Sequence, residues 1–157
     1  MNYSLPITWL MSMKITNTSI NVHPQFWKDW KIVKKRFKST PFKPILSDVN
    51  NYNDEEKLEL TPHLKVIKNT VLNAMTEGII DLIAPKYDRQ PFLSSGWVIR
   101  KMRYAVDNRG KSNGLRIIFC ISEKDILFAF VATKNDCDDE RKLEKVFLKR
   151  INEYISI

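Results

Sequence analysis

Three apolar runs in close succession constrain this chain most. Residues 97–104, 115–122 and 126–133 are rich in β-branched and aromatic side chains, and each reads as a strand. Residues 107–114 link the first two, and residues 123–125 link the last two tightly enough for a hairpin. Upstream, residues 15–22 alternate polar and apolar side chains and predict a further strand. Pro24 then opens a helix in which Phe26, Trp30, Val33 and Phe37 recur at helical spacing as a core-facing stripe. Residues 39–44 break it with two prolines. Residues 46–62 are polar, asparagine-rich and acidic, and are expected to form a surface loop insertion.

Pro62 starts a second helix over residues 63–83, with an apolar stripe from Leu64 through Leu82 that Gly78 weakens near its end. Residues 138–154 predict a last helix, with Leu143, Val146, Phe147 and Ile151 on one side. Strand, helix, helix, three strands and a helix make an α+β fold: a small antiparallel-rich sheet with helices packed on one face.

At 157 residues the chain is expected to be a single domain, with residues 1–14 dispensable or bypassed by a start at Met11 or Met13. That segment lacks the basic start and small-residue cleavage site of a signal peptide. No apolar run approaches the ~20 residues of a membrane span, so the expected compartment is the cytoplasm and no membrane partner is expected. Two cysteines make no disulfide framework: Cys120 reads as strand packing and Cys137 as a free thiol in an acidic loop. His23 and His63, each beside a proline, read as surface or capping residues. With no paired ligand spacing, neither a metal site nor a cofactor is expected. Trp97 reads as core or rim, and Tyr104 as strand-edge packing.

The net charge of +8 favours an acidic partner such as nucleic acid. The charge is concentrated where the strands are. Between Arg100 and Arg116, six cations (Arg100, Lys101, Arg103, Arg109, Lys111 and Arg116) meet one anion, Asp107. Cations on strands beside a glycine-bounded turn suit a site that holds a polyanion in one pose.

The pattern Gly-x-x-x-Arg-Lys-x-Arg from Gly96, Arg-Gly-Lys-x-x-Gly-x-Arg-Ile-Ile-Phe from Arg109 and Thr-Lys-Asn-Asp from Thr133 resembles the RelE/ParE superfamily of toxin–antitoxin toxins, and most of all its HigB-like branch. The resemblance covers residues 96–136, about a quarter of the chain. It implies a RelE-like domain acting as a ribosome-dependent mRNA endoribonuclease that blocks translation and arrests growth. Lys101, Arg103, Arg116 and Lys134 match the family's catalytic basic positions. Arg100, Arg109, Lys111 and Asn135 fall where RNA would be bound. The implied partners are mRNA, the ribosome and a cognate antitoxin of helix-turn-helix type, with operator DNA contacted only through the antitoxin. Two alternatives remain within the superfamily: a ParE-like inhibitor of DNA gyrase, and a catalytically inactive interaction module of the same fold.

The chain departs from the nuclease pattern in one respect that bears on chemistry. Residues 137–142 offer no tyrosine or histidine, Tyr154 lies too far along, and Asn135 stands where the archetype has arginine. The general base is therefore unassigned. The rest of the reaction needs little covalent machinery. The substrate's 2′-hydroxyl attacks the adjacent phosphate without a metal, and the protein positions that phosphate and stabilises its charge. Alternation puts Lys101 and Arg103 on one face about 7 Å apart along the strand, with Arg116 on a neighbouring strand. Arg116 is the expected phosphate clamp, Arg103 its support, and Lys101 or Lys134 the group that exchanges protons.

Overall fold

A computed structural model describes residues 18–36, 52–88, 92, 94–106, 114–123 and 125–155. Residues 1–17, Phe37, the break at 39–44 and residues 46–51 of the expected insertion lie outside the described residues. The elements run β1 (Ser19–Val22), α1 (Pro24–Arg36), α2 (Asp54–Leu60), α3 (Pro62–Glu77), α4 (Ile80–Ile83), β2 (Lys86–Tyr87), β3 (Val98–Tyr104), β4 (Leu115–Ile121), β5 (Asp125–Thr133), a 3₁₀ turn (Asn135–Cys137) and α5 (Glu140–Ile155). The five strands form one sheet in the order β1-β5-β4-β3-β2. β1 runs parallel to β5 and every other pairing is antiparallel. The fold is thus α+β with an antiparallel-rich sheet, as the element order predicts.

Helices cover both faces of that sheet, which corrects the expectation of one. On β4, Leu115, Ile117 and Phe119 join a core with Phe26, Trp30 and Val33 of α1, Leu58 of α2 and Leu64, Ile67 and Val71 of α3. Ile118 and Cys120, which alternate with them, join a second core with Phe147 and Ile151 of α5. The reason lies in β5, where all residues from Ile126 to Thr133 are buried. A continuous apolar strand has no face suited to water, so each face requires a cover.

The ladder slips once between β4 and β5. Ile118 pairs with Phe130 and Phe119 with Phe128, leaving Ala129 as the extra residue of a bulge. β1 accompanies β5 only from Asp125 to Phe128. Side chains take over the edge beyond it. The Val131 N–H donates to the Asp29 carboxylate at 3.4 Å, and Arg150 donates to the Ala129 carbonyl at 3.0 Å. Arg150 also donates to both Asp29 oxygens, at 2.5 and 3.0 Å, tying α5 to α1 around the edge strand. Burial raises the Asp29 carboxyl above its ordinary range and outweighs the opposing pull of Arg150.

The described part of the expected insertion contains a helix. Asn53 accepts from the Glu56 N–H at 2.8 Å, and the Glu56 carboxylate accepts from the Asn53 N–H at 3.3 Å. This capping box starts α2, and burial of Leu58 holds it to the core. The predicted 63–83 helix is two helices, because Gly78 adopts φ +70° and ends α3. His23 caps α1 as expected, its Nδ1 accepting from the Gln25 N–H at 3.1 Å. His63 is half-buried, and its Nδ1 lies 2.8 Å from the Tyr104 hydroxyl and so joins α3 to β3.

Candidate functional site

The second face of the sheet carries a cavity of about 460 Å³, and Lys101, Arg103 and Arg116 all line it. Pairing register explains the convergence. Arg103 lies directly opposite Arg116 across the β3–β4 ladder, and Lys101 lies two residues from Arg103 on the same face. The Lys101 ammonium sits over the Tyr87 ring at 4.2 Å and near the Phe147 ring at 5.7 Å. Leu82 and Ile83 of α4, Pro85, Ile118 and Leu143 of α5 supply apolar lining. Lys86, Met102, Ile117, Cys137 and Glu140 also line it.

Like charges directly opposite one another destabilise a sheet. Desolvation first, and then the neighbouring Arg103, lower the Arg116 pKa, though an arginine keeps its charge at any physiological pH. A bound anion would relieve the repulsion between this pair. Burial pushes the Cys137 thiol up to about 11, so it stands in the cavity as a neutral group at physiological pH.

Arg100 is not part of this site, contrary to the expectation of RNA contact. Strand alternation turns it to the opposite face, where it is buried at 7% exposure. There it donates to the Asp81 carboxylate at 2.7 Å and to the Ala84 carbonyl at 2.9 Å. Arg109 and Lys111 lie outside the described residues. Lys134 and Asn135 are exposed and are not among the residues lining the cavity. Their motif has a structural part instead. The Thr133 hydroxyl and the Asp136 carboxylate are 3.1 Å apart, the Asp136 N–H donates back to that hydroxyl, and Arg36 grips the same carboxylate. This closed turn carries Cys137 to the cavity. Gly114 has a similar part: a Cβ there would come within 1.9 Å of the Tyr104 carbonyl oxygen, so only glycine allows the close approach of strands that sets Arg116 opposite Arg103.

The sequence did not mark Lys86, Cys137, Glu140 or the apolar lining as site residues. Lys86 sits on a two-residue strand, too short to leave a periodic signal. Glu140 ends an acidic run, Asp136, Asp138, Asp139 and Glu140, that reads as an ordinary helix start. Among the described residues no group of three or more His, Cys, Asp or Glu side chains is placed to hold a metal ion. No helix among them is long and apolar enough to cross a membrane. No family model, curated protein or solved structure matches the chain.

Proposed function

We propose that this protein is an mRNA endoribonuclease, the toxin of a toxin–antitoxin pair, acting on translating ribosomes in the cytoplasm. One observation carries the reading: four cations, Lys86, Lys101, Arg103 and Arg116, from three strands line a single cavity that also has an apolar wall. A site for bare phosphate has no use for Leu82, Ile83 and Leu143. A nucleotide has both a charged and an apolar part, and this lining offers surface to each. Arg116 clamps the scissile phosphate with Arg103 beside it, and Lys101 adds charge as the phosphorane develops. The substrate's own 2′-hydroxyl is the nucleophile, so no resident metal enters the scheme. An antitoxin with an acidic or amphipathic segment would silence the protein by covering the cavity mouth. The resemblance of residues 96–136 to RelE-like toxins points the same way.

Purified protein added to ribosomes programmed with a defined message should cut it, leaving a 2′,3′-cyclic phosphate and a 5′-hydroxyl. An intact message, together with inhibition of DNA gyrase supercoiling by the same preparation, would overturn this reading in favour of gyrase.

A further inference from the structure

The strand cations account for holding a phosphate but not for removing a proton from the attacking hydroxyl. If the cavity cuts RNA as proposed above, the proton acceptor must line it too, since the hydroxyl and the phosphate are neighbours on one ribose. The titratable groups of the lining are Lys86, Lys101, Arg103, Arg116, Cys137 and Glu140. Arginine cannot be deprotonated in a protein, and a lysine ammonium has donors but no acceptor. Lys101 is also engaged by the Tyr87 and Phe147 rings, which attract a cation. The Cys137 thiol is raised by burial and keeps its proton at neutral pH. Among the described residues, Glu140 is the one carboxylate of the lining. It is the first residue of α5, yet the helix start does not occupy it: the Asp139 carboxylate accepts from the Lys142 N–H at 3.1 Å and supplies the cap.

We infer that Glu140 is the general base of the cleavage, since it lines the same cavity as Arg103 and Arg116. Its carboxylate takes the proton of the 2′-hydroxyl. The 2′-oxygen bonds to the adjacent phosphorus as the bond from phosphorus to the 5′-oxygen breaks. The leaving 5′-oxygen takes a proton from water, and protonated Glu140 returns its own to the hydroxide left behind. The products are a cyclic phosphate and a 5′-hydroxyl, with no net change in protons. Among the described residues, Lys86, Lys101, Arg103, Arg116 and Cys137 are the other titratable groups of the lining.

The test uses the full chain on programmed ribosomes, with Glu140→Gln, Glu140→Asp and Arg116→Ala in parallel. Glu140→Gln is expected to slow cleavage about 10²–10⁴-fold. It should also abolish the acid limb of the pH–rate profile while leaving affinity for a 2′-deoxy RNA analogue unchanged. Glu140→Asp should restore part of the rate and the limb. If Glu140→Gln cleaves within about threefold of the parent and keeps the acid limb while Arg116→Ala is dead, the cavity is the nuclease site and Glu140 is not its base. Loss of thermal stability with an unaltered pH profile would assign Glu140 to the helix start and would likewise overturn the inference. Should neither variant change cleavage, the cavity itself is not the nuclease site.

Discussion

The two faces of the sheet are built from the same strands and finished differently. Over the first, α1, α2 and α3 lay a continuous cover of large apolar side chains. Over the second, α5 covers one end with Phe147 and Ile151, and the rest opens as the cavity. Arginine shows the contrast within one strand. Arg100 on the first face meets a carboxylate and a carbonyl, whereas Arg103 on the second meets another arginine. The first arrangement pairs a buried charge through one guanidinium nitrogen and leaves its Nε without a hydrogen-bond partner. The second leaves positive charge in excess, which on the proposed reading serves a ligand at the expense of the fold.

The largest test of the contrast is Phe119→Ala. Phe119 is fully buried in the first core, and its truncation should lower the unfolding free energy by about 3–5 kcal/mol, read from urea denaturation. Arg116→Ala should do the opposite kind of damage. Its stability should stay within about 0.5 kcal/mol of the parent, because a like-charge neighbour is removed. Cleavage should fall about 10²–10³-fold, worth roughly 2.7–4 kcal/mol in the transition state. A large loss of stability in that variant would mean that the two faces do not divide the labour.

Arg100→Met sharpens the comparison further. It strips the buried Ala84 carbonyl of its side-chain donor and should cost about 1–2 kcal/mol, with RNA affinity and cleavage rate unchanged. A tenfold loss of RNA affinity would return Arg100 to the binding surface.

The smallest effect is a pH dependence at the junction of the faces. Burial first, then Arg150, lower the pKa of His23 below its ordinary 6.5, against the pull of Glu153 and Asp29. The folded state therefore favours neutral His23. Its contribution is complete above 6.5 and is lost as pH falls through that value toward the lowered one. Protonation also removes the Nδ1 lone pair that caps α1. The urea midpoint should drop between about pH 7.5 and about pH 5.5 in the parent, and the drop should shrink in His23→Gln. Equal slopes would place the titration elsewhere.

Much of this division was legible in the sequence. The stripes of α1 and α3 and the runs of β3, β4 and β5 repeat at the periods of helix and strand, so burial and pattern agree. The same alternation placed Lys101 and Arg103 together, and carried one step further it excludes Arg100, because neighbours on a strand face opposite ways. The unbroken apolar run of β5 signalled two covered faces, although element order alone suggested one. The capping box of α2 was written as Asn53 and Glu56 but lay hidden in a polar segment. Glu140, Lys86 and the apolar lining left no local signal. They become neighbours only through the packing of α4, β2 and α5 against the sheet, a property of tertiary structure and not of spacing.

The parallel pairing of β1 with β5 joins residues more than a hundred positions apart. Such a closure comes late in folding, because the intervening chain must be ordered first. During synthesis β1 has no partner strand until the final hairpin emerges, and the cavity waits longer still for Cys137, Glu140 and Leu143. A nascent chain stalled before those residues holds the strand cations but no enclosure around them. On the proposed reading, cleavage is thereby withheld from every incomplete product, a safeguard for the ribosome that makes it.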